Sequence, residues 1–147
     1  MTVAAIQMTS GPEVPANLGS ARRLLAEAAA AGAQVAVLPE NFALMARRDA
    51  DRRAAAEQHG DGPIQSMLAT AARELGLWVV GGTVPLKVPD EPRVAAASLV
   101  YDAAGREVAR YDKIHLFDVD VPGRSESHRE SAGIRPGTST SNRWILS

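Results

Sequence analysis

The sequence predicts an α/β domain with a mixed sheet. Three observations carry this. Short apolar runs of the buried-strand type lie at residues 3–8, 34–38 and 77–80. Segments of helical period separate them. Two further runs, 94–101 and 106–111, flank Asp102-Ala103-Ala104-Gly105 as an antiparallel hairpin with a glycine-containing turn. The order is β-α-β-α-β-β-β, with no internal repeat.

Residues 3–8 open the chain as a strand, and Gly11-Pro12 and Pro15 break it. Leu18, Leu24, Leu25, Ala28 and Ala29 then recur at helical spacing, with Arg22, Arg23 and Glu27 elsewhere on the turn. Asn17 is placed to cap this helix and Gly32 to stop it. Residues 34–38 form the second strand, ended by Pro39. Residues 49–58 are rich in Ala and Arg and weakly helical. A cleaner helix starts at Pro63, a favoured first-turn residue. Its apolar positions, Ile64, Met67, Leu68, Ala71, Ala72 and Leu75, share one face, and Gly76 ends it. Residues 77–80 run into Gly81-Gly82, and 87–92 are a loop of prolines and charges. Residues 118–133 are charged and turn-rich, 138–143 are polar without a period, and 144–146 are a short apolar remnant. The domain is expected to occupy residues 1–133, and 134–147 to be an atypical, disordered tail.

At 147 residues the chain is one domain or part of one. It is 46% hydrophobic and 22% charged, close to an ordinary soluble protein. A net charge of -1 without a basic stripe argues against nucleic acid as a partner. No apolar run reaches the roughly 20 residues of a membrane span. The N-terminus lacks the basic and apolar regions of a signal peptide, so a cytoplasmic protein is expected. The absence of cysteine excludes disulfides, thiolate metal sites and a cysteine nucleophile within these residues.

Two stretches place an ionisable side chain where an apolar run stops. Val35-Ala36-Val37-Leu38-Pro39-Glu40 delivers a carboxylate to the mouth of the sheet, where α/β folds bind ligands. Its apolar neighbours Leu38, Phe42 and Leu44 would partly desolvate Glu40 and make it a usable general base; the plain alternative is a solvated loop carboxylate. Arg110-Tyr111-Asp112-Lys113-Ile114-His115 delivers an ammonium. Lys occurs only at positions 87 and 113. Lys113 suits oxyanion stabilisation beside a carboxylate, or else protects a sheet edge. His115, Asp118, Asp120 and His128 have the chemistry of metal ligands, but their spacing matches no closed metal motif. Ser125, Ser127 and His128 lack a nucleophile-elbow turn. Glu130 by itself reads as an exposed carboxylate.

Together the stretches resemble the nitrilase, or carbon–nitrogen hydrolase, superfamily, and within it the Nit branch of ω-amidase and deaminated-glutathione-amidase-like proteins. The likeness runs in family order through Ala4-Ala5-Ile6-Gln7-Met8, Leu38-Pro39-Glu40-Asn41, Gly81-Gly82-Thr83-Val84-Pro85, Ser98-Leu99-Val100-Tyr101-Asp102, Tyr111-Asp112-Lys113-Ile114-His115-Leu116-Phe117-Asp118, Glu130-Ser131 and Pro136-Gly137. The resemblance implies an αββα sandwich, incomplete in this chain. It implies a Glu–Lys–Cys site with Glu40 as general base, Lys113 as oxyanion stabiliser and Glu130 as the second glutamate that positions the lysine and substrate. It implies hydrolysis of a small linear amide, an ω-amide or nitrile-like substrate, to acid and ammonia through a cysteine acyl-enzyme, with no metal or organic cofactor. It also implies a homo-oligomer if the fold is completed. The family's cysteine lies beyond the Pro136-Gly137 match, and none of the ten residues that follow here is cysteine. The expectation is therefore a truncated, inactive form. The alternative is a non-catalytic remnant or interaction module that pairs with a full-length relative.

Overall fold

The computed structural model describes residues 1–120, 123, 127–138 and 143–144, the last two by backbone alone. The chain runs β1 (Val3–Ala5), α1 (Val14–Ala30), β2 (Val35–Val37), α2 (Asp49–Ala54), α3 (Pro63–Leu75), β3 (Trp78–Val80), β4 (Val84–Lys87), β5 (Val94–Tyr101), β6 (Glu107–Asp112), β7 (Asp118–Asp120), β8 (Ser127–Arg129), a 3-10 turn (Glu130–Ala132) and β9 (Arg143–Trp144). The expected α/β class is found. One mixed sheet has the order β1-β2-β3-β5-β6-β9, with β4 also on β5. The first three strands are parallel, in register Val3↔Val35↔Trp78. β3 and β4 then occupy successive lengths of the same edge of antiparallel β5.

Valine-rich β2 and β3 fit a pleated surface. α1 and α3 cover one sheet face. Their Ala21, Leu25, Leu68, Ala71 and Ala72 pack with Ala36, Val79, Leu99 and Tyr101 in the main core. Each fully buried leucine contributes roughly 1.5–3 kcal/mol. α3 keeps its predicted limits. Gly76 adopts φ 64, and its N–H donates to the Ala72 carbonyl. At the other end Gly62 has no side chain to cap the helix, and buried Glu57 does so from outside. Its carboxylate accepts from the Ile64 and Gln65 N–H groups at 2.5 and 3.1 Å and from Gln65 Nε2 at 3.0 Å. A negative charge there also complements the helix dipole.

On the opposite sheet face the described residues of β1 to β3 are exposed or half-buried. Its rows by register are Val3, Val35 and Trp78, then Ala5, Val37, Val80 and Val100. Val3 is 53% exposed and Trp78 45%. At the β5 end of that face a smaller cluster of Ala56, Val94, Ala96 and Ile134 closes it. No helix among the described residues is long and apolar enough to cross a membrane.

Several expectations are corrected. α1 begins at Val14, with Pro15 in its first turn, so Asn17 lies inside the helix rather than capping it. Its buried side chain instead ties Gly11 to the Ala43 carbonyl. β4 was not foreseen, because four residues beside Gly81-Gly82 carry too little period of their own. The segment read as irregular at 118–133 contains the ribbon β7–β8. The packed chain runs past 133: Ile134 is buried and bridges Val94, and Gly137 N–H donates to the Lys113 carbonyl. Arg143–Trp144 pairs with β6. The rest of the expected tail, 139–142 and 145–147, lies outside the described residues.

Candidate active site

Glu40 stands just past β2. Leu38 N–H still donates to the Val80 carbonyl, and Pro39 then ends the strand. Leu38 and Phe42 turn into the core, so Glu40 between them points outward. Its side chain is 53% exposed, and the desolvation expected from Leu38, Phe42 and Leu44 is not delivered, because those residues face inward. The turn is held from β3–β4. Asn41, at φ 56, donates its N–H to Thr83 Oγ1 at 2.8 Å. Gly82, at φ 50, lies against the Pro39 carbonyl, where a Cβ would overlap the oxygen.

Lys113 follows β6. Its N–H donates to the Ala96 carbonyl at 3.0 Å, and its own carbonyl accepts from Gly137 at 2.8 Å. Backbone bonds on both sides thus fix the root of a long side chain. Lys113 Nζ donates to Glu40 Oε1 at 2.7 Å and to Glu130 Oε1 at 2.9 Å. Glu130 opens the 3-10 turn, and its second oxygen, Oε2, accepts from the Phe117 N–H at 2.6 Å. The structure therefore brings all three predicted residues together across 73 and 17 positions of sequence.

The electrostatics favour the ionised forms of the inner pair. Partial burial pushes the Lys113 ammonium down, but the hydrogen bonds and charges of Glu40 and Glu130 outweigh it and hold its pKa above the ordinary lysine value. Partial burial pushes Glu130 up. The Phe117 amide, the Lys113 bond and charge, and the Arg52 charge more than reverse this, leaving the carboxyl below its usual range. An ammonium has three N–H donors. Among the described residues two are used, which leaves one for an incoming oxygen that gains negative charge. Glu40 is the most exposed of the three side chains, at the mouth of the site. The three groups line an open cleft of about 560 Å³ together with Asn41, Arg52 and Phe117.

The metal-ligand types do not converge. Asp118 binds Ser131, Asp120 pairs with Arg129 at 2.6 Å, His128 lies against the Phe117 ring with centroids 5.7 Å apart, and His115 is exposed. Among the described residues no three such side chains form a candidate metal cluster. Ser127 is exposed on β8, and Ser125 lies outside the described residues. Sequence reading missed Thr83, Arg52 and the Phe117 amide. Thr83 had a signal in its Gly-Gly neighbours; Arg52, one of several arginines on a weak helix, had none.

The family model for carbon–nitrogen hydrolases matches residues 2–142. A deaminated glutathione amidase from Yersinia enterocolitica is 38% identical over 136 residues, which are 92% of this chain and 47% of that protein. The chain spans about half the length of the curated relatives it matches. The solved NitFhit protein of C. elegans superposes with a TM-score of 0.82 at 27% identity, over 92% of this chain and 33% of that one. An amidase from Nesterenkonia sp. AN1, solved as a variant with butyramide, gives a TM-score of 0.74 at 26% identity, over 95% of this chain and 49% of that one. Another variant of that amidase was solved after addition of acrylamide at its active-site cysteine.

Proposed function

The chain belongs to the carbon–nitrogen hydrolase family, and from that premise we propose that it carries the acid–base part of an amidase site. Glu40 is the general base, Lys113 stabilises the oxyanion, and Glu130 holds the lysine. The substrate is a small linear amide of the ω-amide type, and the products are the acid and ammonia. One observation carries this reading: Lys113 Nζ sits between the two carboxylates at 2.7 and 2.9 Å, with one donor left over, in an open cleft.

In this scheme Glu40 takes the proton of a thiol, which attacks the amide carbon. The carbonyl oxygen gains negative charge facing Lys113. The amine leaves with the proton that Glu40 held, giving a thioester. Water, deprotonated by Glu40, then releases the acid and restores the thiol. The thiol is not among these 147 residues. The stretch by itself is thus inactive in this reading, and the nucleophile is supplied by polypeptide outside it. The scheme calls for no cofactor. A non-catalytic module that pairs with a full-length relative is the second reading. The open apolar face around Val3 and Trp78 favours it, since such a face asks to be covered. Association of copies belongs to the same proposal.

Ammonia release tests both readings. From butyramide or a small ω-amide, the 147-residue chain should give the buffer rate. Joined to the remainder of the Yersinia amidase it should release ammonia, and Glu40→Gln or Lys113→Ala should abolish this. A folded chimera whose turnover ignores Glu40 would sink the base assignment. Turnover by the chain alone, lost on Glu40→Gln, would sink the claim of inactivity.

A further inference from the structure

Asp118 and Ser131 lie beside the site, and the scheme above does not use them. Asp118 Oδ1 accepts from the Ser131 N–H at 3.0 Å, and Oδ2 accepts from Ser131 Oγ at 2.6 Å. Their chain neighbours are gripped as well. Phe117 N–H donates to Glu130 Oε2 at 2.6 Å, and Glu130 N–H donates to the Phe117 carbonyl at 3.3 Å. Two adjacent residues, 117 and 118, thus hold two others, 130 and 131, by four bonds.

This grip stands where the ribbon β7–β8 meets the site. The ribbon pairs Asp118↔Arg129, Val119↔His128 and Asp120↔Ser127. A two-stranded ribbon this short is marginal on its own and has weak register. Slipping by one residue moves the backbone by about 3.3 Å, more than the whole 2.9 Å bond from Glu130 to Lys113. The side-chain bonds of Asp118 reinforce the register of this short ladder, to which the Arg129–Asp120 pair at 2.6 Å also contributes. The Ser131 hydroxyl and amide, helped by the Arg129 charge, outweigh the opposing effect of burial and hold Asp118 below the usual carboxylate range.

We propose that Asp118 is a positioning residue: by clamping Ser131 it fixes the Glu130 carboxylate on Lys113. The catalytic consequence rests on the amidase reading of Lys113 and Glu130; the clamp itself is a matter of geometry.

The chain has only two lysines, 87 and 113. Label it with 13C at lysine Cε, and each lysine gives one titrating signal, with Lys87 as internal reference. Glu130→Gln should lower the Lys113 midpoint. Asp118→Ala should lower it by most of the same amount and leave Lys87 in place. Asp118→Asn, which still offers an acceptor to Ser131, should restore much of the loss. Ser131→Ala should fall between. In the Glu130→Gln/Asp118→Ala double variant no further fall is expected, because Asp118 acts through Glu130. The proposal is overturned if Asp118→Ala and Ser131→Ala leave Lys113 unmoved while Glu130→Gln moves it. It is equally overturned if the two effects add, or if Asp118→Asn falls as far as Ala, which would mean bare charge. Should Asp118→Ala fail to fold, Asp118→Asn and Ser131→Ala decide alone: full retention in Asn with a fall in Ser131→Ala supports the clamp, and no fall in Ser131→Ala overturns it. If Glu130→Gln itself does nothing to Lys113, the pairing behind the proposed function fails, a result distinct from failure of the clamp.

Discussion

Replacing Gly82 by Ala probes how the Glu40 turn is tied to the end of the sheet. Gly82 has φ 50, and a Cβ there would overlap the Pro39 carbonyl oxygen and come within 3.0 Å of the Leu38 oxygen. Both obstacles are backbone, so no flexible side chain can yield. A left-handed conformation costs a non-glycine residue about 1–2 kcal/mol. Overpacking against fixed atoms costs about 1–3 kcal/mol. The expected destabilisation is about 3 kcal/mol, or about 6–12 °C in Tm for a chain of this size. Relief of the clash pushes Pro39 away and carries Glu40 from Lys113. Gly19→Ala is the matched control. Gly19 lies within α1, nothing meets its Cβ within 4 Å, and the change should stabilise by about 0.5–1 kcal/mol. Urea and thermal melts of the two variants measure both. A Gly82→Ala chain within about 0.5 kcal/mol of the parent, the range of an ordinary surface change, would refute the account of this turn.

Two further outcomes are expected. Glu130 is held below its ordinary value of 4.5, so its contribution to stability is present above that pH and is lost as pH falls through the lower folded value. Lys113 is held above 10.5, so its contribution is present below that pH and is lost as pH rises through the higher folded value. The stability gap between the parent and Glu130→Gln should therefore be level between these limits, close in acid and narrow in base, where the Phe117 amide still favours the carboxylate; urea melts across pH would show it, and a gap that widens in acid would contradict it. The second outcome concerns the open sheet face. Trp78→Lys should reduce self-association of the 147-residue chain while changing stability by no more than about 0.5 kcal/mol, since the side chain is already 45% exposed. Sedimentation velocity compares the two, and a parent chain that is monomeric throughout would argue that this face attracts nothing.

Elements whose signal is local were legible in the sequence. The apolar stripe of α3 and its Gly76 stop need only residues within a few turns of each other. The β5–β6 hairpin needs only its turn, and β1 to β3 only short apolar runs. Glu40 and Lys113 stand out because each ends such a run, while their proposed roles come from the family resemblance alone. Asn17 was misread because its polar side chain fits a cap equally well as it fits the loop contacts it makes across 26 residues. β4 and β9 take their identity from partners elsewhere in the sheet, and no pattern inside two to four residues reports a partner.

The α/β class, the order of the main elements and the absence of a thiol in these residues could all be read before any fold was known. These follow from side-chain period and residue type, which are properties of the chain before it folds. Tertiary structure alone decided the geometry of the site. It set Lys113 between Glu40 and Glu130, turned Leu38 and Phe42 inward, and recruited Glu57 to cap a helix it does not belong to. A hydrogen bond is made or lost within a few tenths of an ångström, and distances that fine across 73 residues are set only when packing and strand register fix every element between.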